Sequence, residues 1–172
     1  MRNLRSRLSI SHKKYVCFPS NWMTFIIQLE GFFQRKKNMK RVDVTTDAST
    51  WIQSLSEKNG PLMFHQSGGC CDGSSPMCYP KDVFLVGSSD VYLGDVSGTP
   101  FFMSEVQFRH WQHTNLTLDI VPGRGSGFSL EVPFGVRFLI RSRLFTDDEW
   151  AQITPTISGD QWLAKEQQHT PQ

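Results

Sequence analysis

Three of the chain's four cysteines fall within nine residues, in the run Phe64-His65-Gln66-Ser67-Gly68-Gly69-Cys70-Cys71-Asp72-Gly73-Ser74-Ser75-Pro76-Met77-Cys78-Tyr79-Pro80. Thiols this close suit three kinds of chemistry. Cys70, Cys71 and Cys78 could ligate a soft or borderline metal, because thiolates favour zinc, copper(I) and iron-sulfur centres. A fourth ligand would then come from His65, His110, His113 or a second subunit of a homo-oligomer. Alternatively, Cys78 pairs with Cys70 or Cys71 in a reversible disulfide, since a bond between adjacent cysteines strains the peptide between them. In the third reading the thiols are buried and inert beside a tight glycine turn. The gap between Cys71 and Cys78 is longer than a zinc-ribbon spacing, and adjacent cysteines point to different sides of an extended chain. Metal binding, with zinc or iron as the ion, leads the three, and His65, just ahead of the loop, is the nearest candidate partner.

Other groups carry weaker signals. His110 and His113 would sit one turn apart on a shared helix face, a geometry suited to metal ligation or proton transfer. Gly123-Arg124-Gly125-Ser126-Gly127 could set amides and a guanidinium around an anion, but it precedes a strand and lacks the lysine of a phosphate loop, so a hairpin connection is favoured. Asp119 and Glu131 alternate with leucines, which puts them on a solvent face rather than in an acid-base pair. No catalytic triad, phosphate loop or complete metal-ligand set is legible.

The elements that must position these groups can be read from periodicity. Thr46 to Lys58 reads as a helix with Trp51, Ile52 and Leu55 on one face and Asn59-Gly60 as its stop. Leu62-Met63-Phe64-His65-Gln66 reads as a strand from which the cysteine loop hangs. Val83-Phe84-Leu85-Val86 and Asp90-Val91-Tyr92-Leu93-Gly94-Asp95-Val96 predict two more strands around Gly87-Ser88-Ser89. Ser104-Glu105-Val106-Gln107 has the pattern of a capping box and predicts a helix through His113. Leu116-Thr117-Leu118-Asp119-Ile120 and Phe128-Ser129-Leu130-Glu131-Val132 alternate as the arms of a hairpin, and Val136 to Arg143 predicts a last strand. Thr146-Asp147-Asp148-Glu149 offers a second capping box for a helix holding Trp150. Residues 151–172 are polar and read as a C-terminal tail.

With 172 residues, 38% hydrophobic and 20% charged, the chain suits one globular domain, placed at residues 39–150. A domain of this size folds without disulfides or a structural metal, leaving its cysteines for chemistry. The net charge of +2 hides a split. Arg2, Arg5, Arg7, Lys13, Lys14, Arg35, Lys36 and Lys37 face only Glu30 before Met39, whereas acids outnumber bases after it. A nucleic-acid reader carries its basic stripe on the folded surface, so nucleic acid is not an expected partner. Residues 1–38 read as a basic extension, disordered or arising from a start assigned upstream of Met39. The run Trp22-Met23-Thr24-Phe25-Ile26-Ile27 is far shorter than the roughly 20 residues of a membrane span, and no secretory signal is convincing. The cytoplasm is the expected location, without membrane contact.

The stretch from Gly60-Pro61-Leu62-Met63-Phe64-His65-Gln66-Ser67-Gly68-Gly69-Cys70-Cys71-Asp72-Gly73 to Val121-Pro122-Gly123-Arg124-Gly125, with Arg141-Ser142-Arg143-Leu144-Phe145-Thr146, resembles the bacterial family called domain of unknown function 779 over about residues 39 to 150. That resemblance implies an accessory role beside an aldehyde dehydrogenase. The order of elements is also similar, more distantly, to the HesB-like A-type iron-sulfur carriers, whose first cysteine would fall at Cys70 or Cys71. Those carriers have a Cys-Gly-Cys near the C-terminal end where this chain has Arg137 to Arg143, so iron-sulfur transfer is not expected. The expectation is an α+β domain, mostly antiparallel sheet with short helices and possible HesB-like order. Its expected function is that of a metal-binding accessory protein with Cys70, Cys71, Cys78 and His65 as ligands. The alternatives are a non-catalytic partner or maturation factor of an aldehyde dehydrogenase, and a thiol-dependent enzyme using Cys70 or Cys71 as nucleophile.

Overall fold

Two sheets and four short helices are formed by the described residues. The computed structural model describes residues 39–69, 73–125 and 127–169, all of them within one unit spanning residues 37–172. In chain order the elements are β1 (Val42–Val44), α1 (Thr46–Asn59), β2 (Leu62–Gln66), β3 (Met77–Pro80), β4 (Asp90–Val96), β5 (Thr99–Ser104), α2 (Glu105–Trp111), β6 (Thr114–Pro122), a 3-10 turn (Val132–Phe134), β7 (Val136–Leu144), α3 (Asp147–Trp150), β8 (Ile157–Ser158) and α4 (Gly159–His169). The first sheet runs β1-β6-β7 and the second β3-β2-β5-β4-β8. Parallel pairing is confined to β1 with β6 and β2 with β5 among the described strands; the other pairs are antiparallel. The α+β expectation holds. No helix among the described residues is long and apolar enough to cross a membrane.

Local chemistry sets the helix ends. Thr45 caps α1 by accepting from the Ala48 amide, and Gly60 stops it with positive φ. Ser104 caps α2 by accepting from the Gln107 amide, and at α3 both bonds of the Thr146/Glu149 capping box form. Such caps satisfy donors that the first helical turn would otherwise leave unpaired.

The inner faces of both sheets and α1 enclose one core, with Ile52, Leu55, Phe64, Phe101, Leu118, Phe138 and Ile140 fully buried. Each such side chain contributes about 1.5–3 kcal/mol of transfer free energy. The loop after β2 joins the sheets: the Gly73 amide donates to the Ile140 carbonyl at 2.7 Å, and the Ile140 amide donates to the Ser74 carbonyl at 2.8 Å. On the outer face of the five-stranded sheet, Met63, Phe102 and Trp162 form a second, smaller core with Tyr79, Phe84, Val86, Tyr92 and Ile157. This is why β2 is buried along its whole length.

Three expectations are corrected. Val83 to Val86 form no strand, because both edges of β4 are taken by β5 and β8; residues 81–89 instead cross the outer face as a strap. Residues 128–132 form no strand either, since β6 pairs directly with β7 over nine positions and the intervening chain turns back as an excursion. The segment read as a tail carries β8 and α4, whose Trp162 is 8% exposed. A side chain at Gly159 would collide with the Gly87 carbonyl, so glycine lets α4 begin hard against the strap.

Candidate functional site

Strand alternation decides where the predicted ligands go. On β2, Leu62 and Phe64 face the main core while Met63 and His65 face outward, beneath the strap. His65 is 3% exposed. Its Nε2 lies 2.9 Å from Asp90 Oδ1, and Asp90 Oδ2 accepts from the Gly87 amide at 2.9 Å. Asp90 stands at the first position of β4, opposite Ser104, and so reaches His65 across β5. The Phe84 ring covers the imidazole at 4.3 Å and leans in turn on Tyr79 at 5.4 Å. The Asp90 carboxylate therefore accepts from an Nε2 proton. Nδ1 is buried with no hydrogen-bond partner among the described residues.

Cys78 is on the opposite face. It pairs in register with Phe64, so its thiol enters the main core, where it is 0% exposed. Its amide donates to Ser129 Oγ at 2.8 Å, its carbonyl accepts from the Leu130 amide at 3.1 Å, and the Ser129 hydroxyl donates to Glu131 Oε2. Burial pushes the Cys78 thiol well above its ordinary range, and the neighbouring Glu131 charge pushes it further. Without a metal Cys78 is thus a neutral thiol at physiological pH, and a poor nucleophile.

Cys70 and Cys71 lie outside the described residues, but both ends of their loop are held. On the entry side the Gln66 side-chain amide donates to the Gly68 carbonyl, and Trp111 Nε1 donates to the Gly69 carbonyl at 3.3 Å. Gly69 has φ +91°, and a Cβ there would fall 2.3 Å from Ser74 Oγ; the turn requires glycine. On the exit side Arg137 Nη1 donates to the Gly73 carbonyl at 3.2 Å and to Ser75 Oγ at 3.3 Å. Gln66 Oε1, buried at the loop's root, has no hydrogen-bond partner among the described residues.

The predicted histidine pair does not form. α2 ends at Trp111, leaving His110 on the helix and His113 in the turn beyond it, both exposed, with His113 5.0 Å from the Trp150 ring. Glu131 also departs from its expected solvent face: it is 1% exposed, and burial raises its carboxyl above the ordinary range. Asp119 instead pairs with Arg141 at 2.7 Å. Of the four predicted ligands, His65 and Cys78 fall on opposite faces of one sheet and cannot share an ion. No group of three His, Cys, Asp or Glu side chains converges among the described residues. Sequence reasoning missed Asp90 and the Ser129/Glu131 pair. Asp90 opens a strand like any turn residue, and Glu131 sits in a run whose alternation mimics a strand, so neither carried a distinguishing signal.

A family model described as "Domain of unknown function (DUF779)" matches residues 51–144. The match spans the cysteine loop, Asp90 and the Ser129/Glu131 turn. Comparison with the curated proteins found no match.

Proposed function

The chain belongs to the domain of unknown function 779 family, and on that premise we propose that it is a metal-binding accessory protein that presents Cys70 and Cys71 as thiolate ligands for zinc or iron. The observation that carries this reading is the anchoring of the loop on both sides of the cysteines, by Trp111 at Gly69 and by Arg137 and Ile140 at Gly73. Thiolate ligands hold a metal tightly when the backbone that carries them is fixed beforehand. Gln66 Oε1, buried at the loop's root with no partner among the described residues, would be a neutral oxygen donor close in the chain to these thiols. A further protein ligand or a second copy of the chain would complete the shell. Cys78 and His65 cannot serve together, and burial among apolar side chains makes Cys78 the worse donor. An iron-sulfur role on the pattern of the HesB-like carriers has no C-terminal Cys-Gly-Cys to rest on.

Metal analysis of full-length protein purified without oxygen and without a metal-binding tag tests the reading. Near-stoichiometric zinc or iron, lost when Cys70 and Cys71 are both changed to serine and retained in Cys78→Ser, is expected. Stoichiometric metal that survives the double change would overturn it.

A second reading is a non-catalytic partner of an aldehyde dehydrogenase, which the family resemblance implies; Leu85 at 91% and Phe128 at 86% exposed are apolar side chains that such a partner would cover. A dehydrogenase whose folding yield and lifetime do not change when this protein is withheld would exclude it.

A further inference from the structure

His65 Nδ1, buried with no hydrogen-bond partner among the described residues, has a companion across the strand pair. His65 and Met77 are directly opposed in the β2/β3 register, so their side chains share the outer face with Cβ atoms about 4.5–5.5 Å apart. The Met77 sulfur is on that face too: it accepts from the Tyr79 hydroxyl at 2.9 Å, and the Tyr79 ring leans on Phe84, which covers His65. A thioether and an imidazole therefore share one face of the β2/β3 pair, beside the Phe84 and Tyr79 rings. We propose that His65 Nδ1 and Met77 Sδ form a site for a single soft monovalent cation, copper(I), separate from the cysteine loop.

The charge balance points to a monocation. Asp90 is 7% exposed, and a buried carboxylate is costly unless a positive charge compensates it. A proton on Nδ1 would supply that charge, yet it would leave a buried N–H with no acceptor among the described residues. A cation at the same atom compensates Asp90 and gains the Met77 sulfur. Asp90 then acts as the outer carboxylate that orients and polarises a ligating imidazole. The donor set narrows the metal. Zinc takes four nitrogen, oxygen or thiolate ligands, whereas thioether sulfur selects copper(I), which accepts few donors in a dry pocket.

The test uses the full chain with Cys17, Cys70 and Cys71 changed to serine, which removes the thiols of the loop and of the N-terminal segment. Copper(I) is titrated without oxygen against a chromogenic copper(I) chelator. One equivalent is expected. In the same background Met77→Leu, which conserves side-chain volume, should weaken binding by about tenfold or more, and Asp90→Asn by roughly 10- to 100-fold. The nitrogen-15 resonance of His65 Nδ1 should leave the position of an unligated lone pair when copper(I) is added. Circular dichroism checks that both variants are folded. Absence of a stoichiometric site overturns the proposal, as does binding that Met77→Leu leaves unchanged while the Nδ1 resonance stays put. Because the background lacks the loop thiols, either result is independent of whether Cys70 and Cys71 bind zinc or iron.

Discussion

Glu131 shows how a single buried group makes stability depend on pH. Its carboxyl, removed from water beside Cys78 and Ser129, has its folded pKa raised above the unfolded value. The folded state therefore binds more protons than the unfolded state between those two values. The stability this proton contributes is fully present below the ordinary carboxylate range and is lost as pH rises through the raised folded pKa. Other carboxylates act in the opposite sense: Glu149, whose carboxyl Arg143 and the Thr146 amide hold down at about 2, gives up its contribution only as pH falls. A difference measurement isolates Glu131. In urea titrations across pH 4 to 8, Glu131→Gln should gain on the wild type as pH rises; parallel curves would mean that the carboxyl titrates alike in both states.

At the scale of elements, the strap and α4 act together on the outer face. Trp162 meets Phe102 edge-on at 5.0 Å and Tyr92 at 6.1 Å, and Lys81 of the strap lies over its ring at 5.0 Å while pairing with Glu166. Changing Trp162 to alanine removes the largest side chain of the second core. It should cost about 3 kcal/mol in urea unfolding, at the low end for aromatic truncation because the site lies at the surface. A loss below about 1 kcal/mol would mean that α4 packs loosely and that the strap stands without it. Periodicity anticipated α1, β2, β4, β6 and β7 because a half-buried element must repeat its apolar residues at its own period. It failed for the strap and for residues 128–132. Both have apolar spacing like a strand's, but the neighbours each was expected to pair with, β4 and β6, have both sides taken by other strands.

At the scale of the molecule, backbone bonds outside regular pairing tie the two sheets together: Gly73 and Ile140 on one side of the loop exit, and the Leu130 amide on the Cys78 carbonyl. With a main core shared by both sheets, this predicts a single cooperative unit. Native-state hydrogen exchange should protect the Ile140 and Leu130 amides to the full free energy of global unfolding, as it does central strand amides. Exchange of these amides at a markedly lower free energy, while β2 and β5 stay protected, would show that the sheets open separately.

By itself the sequence determined the α+β class, the caps that start α1, α2 and α3 and the cysteine-rich run after β2, because these depend on contacts within a few residues: caps, glycine turns and the period of apolar side chains. The position of the four candidate ligands was a tertiary matter. His65 and Cys78 are thirteen residues apart in the chain and sit on neighbouring strands, yet the β2/β3 register sends one outward to Asp90 and the other inward to Phe64. A shift of one residue in that pairing would have put both on one face. Asp90, Met77 and Glu131 gained their environments in the same way, from strand order and from the path of the chain between paired strands, and no local pattern records that.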